Sequence, residues 1–269
     1  MSSTAGGMNR RRLVSRRLAI DIGNTHIKLG VHDTGAGWIG KWALSTEVRR
    51  TADEYRLSIV SLLGDIDAAT LNQVVISSVV PLLTPALMRV GKGLIGRHPL
   101  EVSPPGFGLP VRYQPPESLG ADRFVNALAA WHLWHESVVV VDAGTTATVD
   151  AVNAEGEFIG GAIAPGPHFL AAALVRGTAK LPYVPPSIPD CTLGQSTKTA
   201  IQVGVGYGFI GMVEALVDRA WSAIGHKAPV VLTGGWSRRI QPHLHFPSRL
   251  QANLTLDGLI IAADMDQAR

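Results

Sequence analysis

The sequence predicts an α/β protein in which one fold unit occurs twice, the two halves meeting near residue 136. Three observations carry this. LAIDIGNTHIKLGV (18–31) and VVVVDAGTTATVDAV (138–152) each run from an apolar, strand-like segment through Asp-x-Gly-x-Thr into a second apolar segment. Their aspartates, Asp21 and Asp142, lie 121 residues apart. In each half three strand-like runs precede alternating helix and strand patterns, the order of a sheet covered by helices.

The elements follow in chain order. Strands are expected at 18–23, 26–32 and 38–46, where apolar runs are separated by glycine-containing turns. Tyr55, Ile59, Leu62 and Leu63 recur at helical spacing over 51–64. QVVISSVV (73–80) reads as a strand, Pro81 opens the next segment, and 82–96 reads as a helix. From residue 99 the chain is too rich in Pro and Gly for either period until a helix at 122–135, striped by Phe124, Leu128 and Trp131. The second half supplies strands at 138–143 and 146–153, and a third within EGEFIGGAIAPG (155–166). Helices are expected near 167–177, 197–203 and 208–224, a strand in PVVLTGG (229–235), and a closing helix at 256–267. The organisation is thus a basic head at 1–17, expected to be disordered with Met8 as an alternative start, then domains at 18–135 and 136–269.

Composition narrows the classes. A 46% hydrophobic, 17% charged chain of 269 residues is globular. The net charge of +3 depends on the head, whose five arginines leave 19 basic against 21 acidic side chains in the rest. A near-neutral body argues against nucleic acid as a partner. No 7–15-residue apolar segment follows the arginines, so no secretory signal is expected, and glycine and proline interrupt every long apolar window, so no membrane span is expected. Cys191 stands alone, which fits a reducing cytoplasm.

The motifs carry chemistry. A carboxylate at the end of a buried strand is costly unless it is paired, hydrogen-bonded or holding a cation. There is no Walker A sequence and no G-x-G-x-x-G after the first strand, which removes the P-loop and dinucleotide readings. Glycine turns at Gly23 and Gly144 instead let backbone N–H groups approach phosphate oxygens. Thr25 and Thr145 offer hydroxyl donors, and Lys28 a point charge. Asp21 is placed to serve the metal of a nucleotide. TGG (233–235) ends a strand with space for a flat base.

Two such turns and a late Gly-Gly turn resemble the actin, sugar kinase and Hsp70 superfamily. Within it, DIGNTHIKLG (21–30), GADR (120–123), DAGTT (142–146), GGAIAPG (160–166), KLP (180–182) and GQST (194–197) occur in the order seen in type III pantothenate kinases. The resemblance spans about residues 18–267. It implies two ribonuclease-H-like domains of actin-like fold closing a cleft over ATP, and phosphorylation of pantothenate as the first step of coenzyme A synthesis. It implies ATP binding by Asp21, Ile22, Gly23, Asn24, Thr25, His26, Ile27 and Lys28, with Thr145 on phosphate. It further implies Mg²⁺ served by Asp21, a monovalent cation (K⁺ or NH₄⁺) on Asp142, and a pantothenate site of Tyr113, Gly120, Ala121, Asp122, Arg123 and Thr197. Asp122 resembles the catalytic base, and a homodimer is implied. The chain departs from the family at Thr146 and Ala147, leaving Asp142 and Thr145 unchanged.

Physical chemistry agrees on Asp122. A primary alcohol needs a proton acceptor, and a helix N-terminus beside Arg123 keeps a carboxylate ionised. Arg123 is an alternative partner for the substrate carboxylate. Capping the 122–135 helix is the competing role for Asp122. His132 and His135 stand three apart but lack a third metal ligand, and histidines suit a helix C-terminus. The tryptophans read most simply as core or interface, with one of them a candidate to stack on adenine. Competing functions are a non-catalytic transcriptional accessory of the same family, which needs no base, and a sugar kinase, which leaves GADR and GQST unexplained.

Overall fold

The computed structural model describes residues 15–268. Ten strands form two five-stranded sheets of the same topology. The first contains β1 (Arg16–Ile22), β2 (His26–Asp33), β3 (Gly37–Ser45), β4 (Leu71–Ser78) and β5 (Leu100–Glu101), in the order β3-β2-β1-β4-β5. The second contains β6 (Val138–Ala143), β7 (Thr146–Val152), β8 (Phe158–Pro165), β9 (Val230–Thr233) and β10 (Ser248–Leu250), in the equivalent order β8-β7-β6-β9-β10. In each, the first three strands are antiparallel and the last two join in parallel.

Helices separate and cover the sheets. α1 (Ala52–Leu63) and α2 (Thr84–Ile95) pack Tyr55, Ile59, Leu87 and Val90 on the outer face of the first sheet. α1 begins with a reciprocal Thr51–Glu54 capping box. α4 (Pro167–Gly177), α5 (Thr197–Ile224) and the single turn α6 (Ser237–Ile240) lie with the second sheet, where Phe209, Val213, Val217 and Trp221 of α5 meet Val139, Val141 and Leu232. α3 (Ala121–Trp134) and α7 (Leu254–Gln267) fill the space between the sheets. Their Phe124, Leu128, Leu259 and Ala263 contact Ala19 and Val75 on one side and Val138, Val140 and Val231 on the other. At about 1.5–3 kcal/mol for each fully buried large apolar side chain, this shared layer is the main tie between the halves.

Several expectations are corrected. β1 begins at Arg16, so two of the five head arginines belong to the fold, whereas residues 1–14 lie outside the described residues. Arg16 donates to Asp33, and the buried Arg17 donates to Asp264 at 2.5 Å and to Gln267. The helices expected at 197–203 and 208–224 are one 28-residue helix. Its Gly206 is a close-approach residue rather than a breaker, since a Cβ there would lie 2.5 Å from the Ser187 carbonyl oxygen. By length and composition α5 is apolar enough to cross a bilayer, but glycines interrupt it and its inner face is built into the second core. The short β5 and β10 and the turn α6 carry too few residues for a periodic signal.

Candidate active site

The two glycine turns face each other. Each is closed by its own hydrogen bond, Gly23 N–H to the His26 carbonyl and Gly144 N–H to the Thr146 carbonyl, both 3.1 Å. The glycine N–H groups are thus occupied, and the backbone donors open to a ligand are those of Asn24, Thr25 and Thr145, which have no acceptor among the described residues. The Thr145 hydroxyl donates to the Thr25 hydroxyl at 3.0 Å, so the tips of the two turns touch. Asn24, Thr25 and His26 are exposed, whereas Ile22 and Ile27 are fully buried in the core under α1 and α2. The isoleucines therefore reach a ligand only through their backbone. The turn of Thr145 is backed by Gly166 at the start of α4, where a Cβ would lie 2.4 Å from the Gly144 and Thr145 carbonyl oxygens.

Beneath the turns lie four charges. Asp21 is buried. Its Oδ1 accepts from the Ser77 hydroxyl at 3.0 Å, and its Oδ2 is 3.7 Å from Lys28 Nζ. Both partners are cross-strand neighbours of Asp21, Lys28 on β2 and Ser77 on β4. Burial pushes the Asp21 carboxyl above its usual range. Lys28 and Ser77 pull it down, and Asp122 and Asp142 push it further up. Burial opposes the charge of Lys28, but Asp21, Asp142 and Asp122 outweigh it and raise the ammonium. Asp142 is also raised, by burial and by Asp122, against Lys28 and the Asn126 amide, which donates to its Oδ2 at 3.3 Å.

The duplication is not exact in chemistry. On the second sheet the positions of Lys28 and Ser77 are held by Thr148 and Thr233, so Asp142 has no basic neighbour in its own sheet. Beside it Asn126 Oδ1 is buried without a partner, whereas the Thr148 hydroxyl lies against the Asp150 carboxylate. Three carboxylates against one lysine, with the unpartnered Asn126 oxygen next to Asp142, fit a site that takes cations. Gly234, with φ +88°, closes this site, since a Cβ there would lie 2.3 Å from Asp142 Oδ1.

Asp122 is the second residue of α3, whose N-cap is Gly120. Its Oδ1 accepts from the Arg123 N–H at 2.7 Å within the first turn, but the helix has no side-chain cap, and the half-buried carboxylate acts on Asp21, Lys28 and Asp142 across the cleft. Gly120 allows this, because a Cβ there would stand 2.7 Å from Asp122 Oδ1. The Arg123 guanidinium does not turn its forked edge to the cleft as the sequence reading allowed. Nε and Nη2 both donate to Asp150 Oδ1, at 3.0 and 2.5 Å, and Nη1 donates to the Tyr113 hydroxyl at 3.2 Å. A buried carboxylate captures the group before a ligand does. Ala121 is buried at the first turn.

Thr197 is not brought to this group. It opens α5, exposed, in a groove of about 700 Å³ with Leu170, Leu174, Leu181, Ala200 and Met212. Sequence reasoning missed Asp150, Asn126 and Ser77. For Asp150 the signal was there, an acid inside the apolar run of β7, which is the same anomaly that singled out Asp21. Trp236 is buried against Phe209 and His168, so Gly235 alone leaves open surface at the late turn. His132 and His135 sit 5.5 Å apart at the end of α3, where His135 is the left-handed C-cap.

Comparison with known proteins adds the following. The family model described as type III pantothenate kinase matches residues 17–219. The type III pantothenate kinase of Moorella thermoacetica is 40% identical over 247 residues, covering 91% of this chain and 97% of that protein. That of Dehalococcoides mccartyi strain CBDB1 is 39% identical over 264 residues, covering 97% and 100%. Among solved structures, one described as a conserved Baf family transcriptional activator from Campylobacter jejuni superposes with a TM-score of 0.60 at 19% identity, covering 94% of this chain and all of that one. Another, described as a 2-dehydro-3-deoxygalactonokinase from Sinorhizobium meliloti, gives 0.60 at 15% identity, covering 92% and 98%. At these identities the two structures speak for the fold alone, that of actin-like ATPases and sugar kinases.

Proposed function

The chain belongs to the type III pantothenate kinase family and phosphorylates pantothenate with ATP, and from that premise we propose how its cleft divides the work. The observation that carries the proposal is the convergence of Asp21, Lys28, Asp122 and Asp142 under two touching turns, one from each half. The halves, 18–135 and 136–269 in sequence, act as jaws, with α7 of the second reaching back to the first sheet.

The triphosphate lies on the turns, its oxygens accepting from the N–H groups of Asn24 and Thr25 and from the hydroxyls of Thr25 and Thr145. Ile22, Gly23, His26 and Ile27 shape that turn through their backbone. Lys28 balances phosphate charge. Asp21 would hold the nucleotide's Mg²⁺, which would supply charge neutralisation at the transferring phosphoryl group. Pantothenate lies against Tyr113 and the 120–123 turn, with its primary hydroxyl donating to the free oxygen of Asp122. As that hydroxyl oxygen bonds to the γ-phosphorus, its proton passes to Asp122 and the bond from γ-phosphorus to the β–γ bridging oxygen breaks. The electron pair leaves with ADP. The product is 4′-phosphopantothenate, the first intermediate of coenzyme A synthesis. Asp142 and Asn126 Oδ1 would hold K⁺ or NH₄⁺, which would supply a fixed positive charge beside the second turn.

The protein works as a cytoplasmic homodimer, paired through the groove of α4 and α5, where Ala200, Gly204 and Gly208 expose a small-residue face. Thr197 reaches the acceptor site from the second copy. The test is ADP release measured with pantothenate, glucose and N-acetylglucosamine, in K⁺, Na⁺ and a large organic cation at matched ionic strength. The expected result is turnover with pantothenate alone, faster in K⁺ than in Na⁺. Turnover with a sugar would refute the acceptor, and equal rates in K⁺ and the organic cation would refute the monovalent site.

A further inference from the structure

The buried ion pair behind Asp122 is used by no step above. We propose that Asp150 is a positioning residue for pantothenate binding, holding the Arg123 guanidinium and, through it, Tyr113 as one wall of the acceptor pocket. This rests on the assignment of that pocket to Tyr113 and residues 120–123.

The geometry runs in one direction. Asp150 is 1% exposed and Arg123 4%. One carboxylate oxygen takes both donors of the guanidinium edge, Nε and Nη2. The remaining nitrogen, Nη1, is turned outward to the Tyr113 hydroxyl. The guanidinium carbon stands 5.4 Å from the Tyr113 ring centre and 5.6 Å from that of Phe158, and the two rings meet edge to face at 5.9 Å. Tyr113 lies between β5 and α3, just after a bridge of Val111 with Phe158 in which the Arg112 N–H donates to the Phe158 carbonyl at 2.9 Å, so its backbone is anchored beside β8. Its side chain is fixed by Arg123 and Phe158.

The surroundings are shaped to the pair. Gly161 on β8 is the cross-strand neighbour of Asp150. A Cβ at 161 would lie 2.1 Å from Asp150 Oδ1 and 2.6 Å from Arg123 Nη2. It would also lie 2.5 Å from the Val149 carbonyl oxygen, so a side chain there would have to shift the ion pair and strain the strand pairing. Stability alone is a poor reason for such an arrangement, because a buried ion pair can often be exchanged for well-packed apolar residues without loss. What an apolar pair cannot do is aim a hydrogen-bond donor at Tyr113.

The experiment is steady-state kinetics of the full-length enzyme carrying D150N, R123M, or both, with thermal melts of each. D150N is expected to raise the KM for pantothenate about tenfold while the KM for ATP stays within about twofold. R123M should do the same. The double variant, which buries no lone charge, should match R123M rather than multiply the two effects, because Asp150 acts through Arg123. If R123M raises that KM but D150N does not, Asp150 is not a positioning residue and the pocket assignment stands. If neither variant changes it, the pocket assignment itself falls. If D150N raises both KM values together with a lowered melting temperature, the pair is structural only. Should either single variant fail to fold, the double variant decides, since an unchanged pantothenate KM in it overturns the proposal.

Discussion

Asp21 and Asp142 hold equivalent positions on two sheets, yet one has a lysine across the strand and the other a threonine. That difference separates their proposed roles. Asp21→Asn keeps the shape and removes the charge. The rate with Mg·ATP should fall steeply and the Mg²⁺ requirement shift, while pantothenate affinity measured without nucleotide by calorimetry changes little. Because burial already disfavours the Asp21 charge, stability without nucleotide should hold or rise in a urea melt. Ordinary Mg²⁺ dependence at full rate would make Asp21 a turn residue only. Asp21 was legible in the sequence as a charge inside an apolar run. Asn126 and Ser77 were not, since a single amide in a helix or hydroxyl in a strand acquires meaning only when a carboxylate is folded against it.

At the scale of elements, most strands and helices were readable because half-buried strands and amphipathic helices leave periodic traces. Gly204, Gly206 and Gly208 interrupt the apolar stripe of α5, so its sequence carries the pattern of two helices. The break is absent because one of these glycines answers to a tertiary contact. Gly→Ala inside a helix ordinarily stabilises by about 1 kcal/mol. At Gly206 the sign should invert, because the added Cβ meets the Ser187 carbonyl at 2.5 Å. We expect G206A to destabilise by about 1–3 kcal/mol, read as a lower urea midpoint, with G211A on an open face as the stabilising control. A higher midpoint for G206A would mean that the 187 loop yields freely.

For the whole molecule, the repeated Asp-x-Gly-x-Thr predicted two similar sheets, and the two sheets share one strand order. The return of α7 to the first sheet was not legible. Its contacts, such as that of Arg17 with Asp264, join residues 247 apart and leave no local pattern. The pairing of two copies is tested by A200R, a large charge on the exposed small-residue face. It should give a monomer by light scattering with an unchanged circular dichroism spectrum, and lose pantothenate turnover if Thr197 comes from the partner; a fully active monomer would contradict that. The central claim is that one cleft, assembled from both halves, transfers phosphate to pantothenate with Asp122 as the base. The direct measurement is transfer of labelled γ-phosphate from ATP to pantothenate by D122N, with ATP binding measured in parallel. The account predicts a loss of about 10²–10⁴ in rate with ATP binding retained. Turnover within about tenfold of the wild type would contradict it.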